Sequence, residues 1–415
     1  MRFSCVAKAA HFLFFGGIVL SDKTYTATHE WLSMFSTGQR YAIWGCSDFA
    51  EQLVNSLKGD IRLEYIVDSD KSKAGSWFCG LPVYQPSHLL FDRGVKIIIS
   101  NTYMGTRVKI ANQLEEMGFT ENVDFTYAEL AMSIFHWSLH RRIVSQYVEI
   151  SVTTYCTLNC KNCTAYMPYI KDRYYIPLQS LIESTRLYFS CVDYVGRFRV
   201  LGGEPLLYPH LSAYLEFVAE HYRDRIGELC IVTNGTVLLS DELLQVIKKH
   251  RITLFVSNYS SVGHSLTKPE RYALLISVLQ KEKIRYYFSE HQKWLALGNP
   301  NRISNGLQGV TLQEKFRDCR HYCRSIVGDR LFMCAAWAFA VLGNIYQGNE
   351  NDFLGDEIID MRRFSLMDKE SKFNNWFRFD IQMELQNGFL DFCRYCNGFG
   401  SKNTNYVPIG EQMPR

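Results

Sequence analysis

Short apolar runs alternate with longer amphipathic stretches between residues 147 and 258. Residues 147–154 read Tyr-Val-Glu-Ile-Ser-Val-Thr-Thr, with the period of two and the β-branched content of a strand. Further strands are predicted at 198–201, 228–233 and 252–257. Helical patterns at 178–189, 211–221 and 241–250 fall between them. Strand following helix following strand predicts a parallel βα array. In such arrays the chemistry gathers at the carboxyl ends of the strands.

A second unit of the same kind precedes it. Residues 41–44 form a buried-strand run, a glycine-containing turn leads into a helical stretch ending at Leu57, and 63–67 and 95–100 are further strands before a helix over 105–117. This is a βαβ nucleotide-fold layout with a degraded glycine fingerprint, G-x-S-x-x-A from Gly45 to Ala50. Asp68 stands where a ribose-binding acid would lie, though an aspartate after a strand is also an ordinary turn former. The fold class is therefore α/β. The expected divisions are an amino-terminal segment (1–37), a Rossmann-like domain (38–130), a helical connector (131–146), a βα core (147–310) and a cysteine-rich α+β extension (311–415).

Composition narrows the function classes. The 415-residue chain is 21% charged with net charge +3, which argues against a long solvated tail and a nucleic-acid-binding stripe. Thirteen cysteines, an odd number in redox-type spacings, suit a reducing interior rather than a secreted disulfide scaffold, so a cytoplasmic location is expected. The run at 9–20 has the outline of a signal peptide, but His11 interrupts it and no clean cleavage site follows. An early helix packed on the next domain is expected there instead, and no membrane span.

Three polar motifs fall at the ends of the predicted strands. The first is Cys156, Cys160 and Cys163 in C-x3-C-x2-C spacing; no further cysteine follows until Cys191. Three thiolates can hold three irons of a cubane cluster and leave the fourth iron open. Zinc with a distant fourth ligand and simple clustering remain alternatives; a disulfide in so short a loop is strained. The second motif is Gly202-Gly203-Glu204-Pro205, and the third is Thr233-Asn234-Gly235, which on its own is also a plain turn. Ser257 and Asn258 end the fourth strand.

With these motifs in this order, residues 147–310 resemble the radical S-adenosylmethionine (SAM) superfamily. The resemblance implies a partial (β/α)6 barrel and a 4Fe-4S cluster on Cys156, Cys160 and Cys163, whose open iron is chelated by SAM. It implies SAM contacts from Gly202, Gly203, Glu204, Pro205, Thr233, Asn234 and Ser257, with the glycines admitting close backbone approach and Glu204 accepting from the SAM amine. Reductive cleavage to a 5′-deoxyadenosyl radical then abstracts hydrogen from a substrate. An electron donor such as flavodoxin or ferredoxin is the implied partner. One departure is Asn162, where the family commonly has an aromatic residue before the last cysteine.

Cys319, Cys323, Cys334, Cys393 and Cys396 form a second group. They resemble the SPASM and twitch extensions of radical SAM enzymes, and the number of cysteines suits one auxiliary 4Fe-4S cluster. Cys334, Cys393 and Cys396 are the firm candidates, with Cys319 and Cys323 competing for the fourth place; a zinc site is the rival reading. The amino-terminal unit resembles small Rossmann-like domains of bacterial sugar- and polysaccharide-modifying proteins, through Ile43-Trp44-Gly45, Ile66-Val67-Asp68 and Gly80–Pro86.

The leading expectation is a radical SAM enzyme oxidising or epimerising a small substrate, carbohydrate or nucleotide-sugar in type. The alternatives are a peptide or protein maturase, for which no leader-binding unit is evident, and a non-catalytic zinc scaffold. No catalytic acid or base is assigned. Cys191 and Cys230 are possible hydrogen donors and better read as structural thiols; His291 is a possible proton acceptor.

Overall fold

Two parallel sheets organise the chain, and the computed structural model describes residues 36–57, 59–101, 104–121, 123–290, 293–299, 309–319, 323–346, 357–379, 389–400 and 402–413. The apolar run at 9–20 and His291 lie outside these residues.

The first sheet contains β1 (Arg40–Trp44), β2 (Arg62–Val67), β3 (Trp77–Phe78), β4 (Leu81–Tyr84), β5 (Val95–Ile99) and β6 (Phe125–Tyr127), with α1 (Asp48–Leu57) and α2 (Met104–Glu116) in the crossovers. Its order is β3-β4-β2-β1-β5-β6, parallel except for β3 on β4. The order reverses between β1 and β5, the crevice where doubly wound sheets hold ligands. There Gly45 takes φ +112°, and the buried Ser100 hydroxyl donates to the Trp44 and Gly45 carbonyls at 3.0 and 2.9 Å. The candidate ribose acid is spent on its own turn. Asp68 accepts from the Cys46 amide at 2.8 Å, the Asp70 amide at 2.9 Å and Lys73 Nζ at 3.0 Å.

The connector helix α3 spans Ala128–His140, earlier in the chain than the sequence pattern suggests, and ends at Arg141 in the left-handed region. The second sheet follows with β7 (Val144–Ser151), α4 (Leu178–Cys191), β8 (Tyr194–Leu201), α5 (Leu211–Tyr222), β9 (Ile226–Thr233), α6 (Asp241–His250), β10 (Thr253–Asn258), α7 (Pro269–Lys281) and β11 (Tyr286–Glu290). Strand alternation sorts the side chains. Val148, Ile150, Phe198, Val200, Leu229, Ile231, Leu254 and Val256 are buried in one core with Leu181, Tyr214, Leu243 and Leu275 of the helices. The intervening positions of β7 to β10 carry Tyr147, Glu149, Arg197, Arg199, Glu228, Cys230 and Phe255. Arg197 donates to Glu228 at 2.6 Å and lies 4.8 Å over the Phe255 ring, and Arg199 lies 5.1 Å over Tyr147.

The remaining elements are β12 (Lys293–Leu295), α8 (Leu312–Asp318), β13 (Arg324–Val327), β14 (Arg330–Phe332), α9 (Ala335–Leu342), β15 (Ile358–Asp360), α10 (Met361–Ser365), α11 (Lys369–Phe377) and β16 (Tyr406–Pro408). The full order of the second sheet is β11-β10-β9-β8-β7-β13-β14-β15. Among the described residues six strands of this sheet run parallel, but the sixth, β13, comes from the extension and lies beside the first strand, with Ser325 opposite Glu149. Strands β14 and β15 continue antiparallel, and β12 pairs with β16. Helix α11 locks this arrangement. The Trp376 indole donates to the Val144 carbonyl at 3.0 Å, and Phe373 stacks on Trp137 with centroids 4.0 Å apart. Burying each such ring contributes about 1.5–3 kcal/mol. No helix among the described residues is long and apolar enough to cross a membrane.

Candidate functional site

The Cys156–Cys163 loop leaves the carboxyl end of β7 and is held by its neighbours' backbones. Gly202 and Gly203 make room for it. A Cβ on Gly202 would come within 2.6 Å of the Thr153 carbonyl oxygen, and one on Gly203 would overlap the Tyr155 carbonyl and reach 3.0 Å from Cys156 Cβ. The amides of Gly203 and Glu204 then donate to the carbonyls of Thr153 and Tyr155 at 2.9 and 2.8 Å. The glycine pair thus serves the approach of β8's end to the cysteine loop.

Glu204 is fully buried and ties three segments together. It accepts from Thr233 Oγ1 and the Asn234 amide, both at 2.8 Å, and from the Leu206 amide at 3.1 Å. Burial pushes its carboxyl up to about 7 against the pull of these donors. Three of roughly four lone-pair sites are thereby used, leaving one for a ligand amine. The Asn234 side chain donates to Thr157 Oγ1 at 3.0 Å and approaches Cys156 Sγ at 3.6 Å. Pro205 opens the following turn, and Ser257 lies on β10 beside Tyr259.

Cys156, Cys160 and Cys163 are free thiols. Burial pushes the first two up to about 12 and raises the third, and the Cys163 charge adds to the cost at both others. Amides of Ala165, Tyr166 and Met167 point at the Cys163 sulfur. One buried and two half-buried thiols whose thiolates would repel one another, with N–H groups aimed at sulfur, form a donor set suited to a cationic metal, which deprotonates such thiols outright. Tyr259, half-buried and close to all three cysteines, and Thr157 belong to this site. Neither belongs to a recognisable motif; only the position of Tyr259 just past a strand end hints at it.

The second site is a small cavity of about 40 Å³ lined by Cys319, Cys334, Cys393 and Cys396 with Lys315 and Phe399. The two candidates for the fourth position face different ways. Cys319, at the end of α8, faces the other three, whereas Cys323 turns its thiol to the buried Glu149 on β7. The backbone of Cys323 runs directly into β13, which turns its thiol toward β7. Lys315, itself buried, donates to the carbonyls of Cys393 and Cys396 and clamps the C-x2-C turn. The Gly398 amide donates to Cys396 Sγ at 3.2 Å, and Cys334 caps α9 with the Ala336 and Trp337 amides at its sulfur.

Tyr166 stands between the two sites. It is 2% exposed, adopts φ +55°, and its hydroxyl has no hydrogen-bond partner among the described residues, although Cys396, Cys334 and Cys163 all lie near it. A buried hydroxyl without an acceptor costs about 1–3 kcal/mol. Cluster sulfur at either site would supply that acceptor, so the orphaned group fits an iron–sulfur occupant. Cys191 and Cys230 behave otherwise; their buried thiols donate to the carbonyls of Met361 and Phe198 at 3.4 and 3.7 Å, as structural cysteines do.

The sequence is similar to known proteins over part of its length. Residues 150–296 match the model of the radical SAM superfamily. The GTP 3',8-cyclase of Ectopseudomonas mendocina (strain ymp) is 33% identical over 102 residues, which is 24% of this chain and 28% of that protein. The GTP 3',8-cyclase of Helicobacter pylori (strain ATCC 700392 / 26695) is 32% identical over 98 residues, 23% of this chain and 29% of that protein. The chain thus spans little more than a quarter of the length of these relatives. Among solved structures, BtrN in complex with AdoMet and 2-DOIA is 17% identical, with a TM-score of 0.38, covering 61% of this chain and 94% of that one. Members of the matched superfamily use a 4Fe-4S cluster with SAM. Residues 150–296 of this chain therefore form a radical SAM domain.

Proposed function

We propose that Cys156, Cys160 and Cys163 ligate the SAM-binding cluster, and that Gly202, Gly203, Glu204, Pro205, Thr233, Asn234 and Ser257 surround SAM. The observation that carries this reading is the convergence of three free thiols, one buried and two half-buried, with the Glu204–Thr233–Asn234 network at the carboxyl ends of three adjacent strands. When bound, the cluster and SAM supply the 5′-deoxyadenosyl radical that abstracts a substrate hydrogen atom. The chain's own residues orient the sulfur ligands, aim N–H groups at them and exclude water from the loop. Cys319, Cys334, Cys393 and Cys396 hold a second, auxiliary cluster.

The substrate reading is a small carbohydrate or nucleotide-sugar. It is supported by the polar face of β7 to β10. Among the described residues Arg199 Nε has no partner, and the carboxylate of Glu149 is 3.9 Å from its guanidinium. Burial raises the Glu149 carboxyl to about 8, so at neutral pH it is a donor and leaves the Arg199 charge uncompensated. An arginine, a protonated acid and the Tyr147 and Phe255 rings together suit a hydroxylated, anionic molecule. The relatives' names specify GTP, which keeps a nucleotide-linked substrate in the same class. Reducing equivalents come from a flavodoxin- or ferredoxin-type donor in the cytoplasm.

The test is anaerobic reconstitution with iron and sulfide followed by an assay for 5′-deoxyadenosine. Wild-type protein should produce it and Cys160→Ala should not; zinc without iron at the first site, or undiminished cleavage in the variant, would sink the assignment. Deuterium carried from candidate sugars into 5′-deoxyadenosine identifies the substrate.

A further inference from the structure

Residues 409–413 lie across the first cysteine loop as a short strap. The Lys161 amide donates to the Glu411 carbonyl at 2.7 Å, the Met413 amide to the Asn159 carbonyl at 2.8 Å, and Cys160 pairs with Gln412 in an antiparallel bridge. Lys161 and Glu411 add an ion pair at 3.2 Å. Within this strap the Gln412 amide makes three contacts. Its Oε1 accepts from the Asn159 amide at 2.7 Å, while its Nε2 donates to the Gly410 carbonyl at 2.6 Å and to Cys160 Sγ at 3.2 Å.

The partners fix the orientation of this side chain. Asn159 offers only an N–H, so the oxygen must face it; the Gly410 carbonyl and a ligand thiolate only accept, so the NH2 must face them. The strap is delivered from the second site. Asn403 Nδ2 donates to the Gly398 carbonyl at 2.8 Å, just past Cys396, and β16 then pairs with β12 before the chain turns at Gly410 against Val262.

We infer that Gln412 is a positioning residue for the SAM cluster: its N–H···S bond to Cys160 stabilises negative charge on that sulfur and raises the reduction potential of the cluster. The inference rests on the proposed ligand set. Hydrogen bonds to sulfur are among the groups' main tuning devices, because reduction adds negative charge that a donor offsets. Gln412→Leu removes the donor, and Gln412→Glu turns it into a carboxylate facing a thiolate and a carbonyl at nearly unchanged size.

The test is a redox titration of reconstituted full-length protein, followed by electron paramagnetic resonance through the signal that changes on adding SAM. At a fixed potential, Q412L should hold about tenfold less of this cluster reduced, equivalent to about 59 mV for a one-electron couple. Q412E should fall further still. Midpoints equal to wild type in both variants, or an equal shift in both, would overturn the inference. Hydrogen exchange on the wild-type holoprotein gives a check that no variant has to survive: the amides of Asn159, Lys161 and Met413 should be protected, and exchange at the rate of free peptide would remove the strap from the account. If wild type itself has no SAM-responsive signal, the ligand set fails rather than the role of Gln412.

Discussion

The Thr233 hydroxyl donates to Glu204 Oε1 at 2.8 Å, joining the end of β9 to the turn after β8. The adjacent Asn234 amide binds the other carboxylate oxygen, so one side chain fixes two loops of the site at once. Glu204→Ala would leave three buried donors without an acceptor and should destabilise the fold by about 3 kcal/mol or more. Glu204→Gln keeps one oxygen and most of the volume and should cost less than half of that. Denaturant unfolding of both variants measures the difference. Equal losses would mean that the tie is not what Glu204 contributes.

The two neighbouring cysteines of the extension should part company in metal content. Cys319→Ala should lower total iron by about four per chain, whereas Cys323→Ala should leave it unchanged. Iron and sulfide analysis after anaerobic reconstitution reads this directly. The reverse pattern would move the second site from the α8 end to the start of β13.

Tyr166→Phe separates the empty protein from the loaded one. Without cluster the hydroxyl is a buried burden, so its removal should leave stability unchanged or raise it by about 1–3 kcal/mol. With cluster the hydroxyl has an acceptor, and the variant should release iron to a chelator faster than wild type. Paired thermal melts of apo and reconstituted protein check the sign in each state. A loss of stability in the apo protein would contradict the orphaned hydroxyl.

The buried His136 ring gives a pH dependence of known direction. Both ring nitrogens lack partners among the described residues, and burial, with His140 and Arg142 adding repulsion and Asp60 opposing it, holds the folded-state value down at about 4. Above about pH 6.5 the ring is neutral in both states and costs nothing. As pH falls from there toward 4, the unfolded chain takes up a proton that the folded chain refuses, so stability is lost, by about 3 kcal/mol in full. His136→Phe should remove this component. The gap in unfolding free energy between variant and wild type should therefore change by that amount between pH 7 and pH 4, and a constant gap would refute the assignment.

What the sequence reveals here follows the range of each interaction. The strand over 147–154 is visible because its alternation is local, and the cysteine triplet is visible because three ligands within eight residues need no knowledge of the fold. The meaning of the glycine pair is only half visible: the need for small residues can be read, but their crowding against Tyr155 rather than a cofactor cannot. The different surroundings of Cys319 and Cys323 are hidden because both lie at similar spacing from Cys334, and only the entry of the chain into β13 separates them. Gln412 and Cys160 meet across 252 positions, with no motif at the Gln412 end of that separation. The placement of β13 beside β7 is likewise a long-range pairing that propensity does not encode.

That placement has a consequence for dissecting the molecule. Because β13 covers the flank of β7, a fragment cut at residue 310 would present β7 as a bare edge with its main-chain groups open to other chains. It would also lose Trp376 from the Val144 carbonyl and the strap from the cysteine loop. The barrel portion and the extension therefore cannot be expressed as independent halves without inviting self-association. Whatever ordering the auxiliary site imposes is transmitted to the first strand of the catalytic domain through the shared sheet.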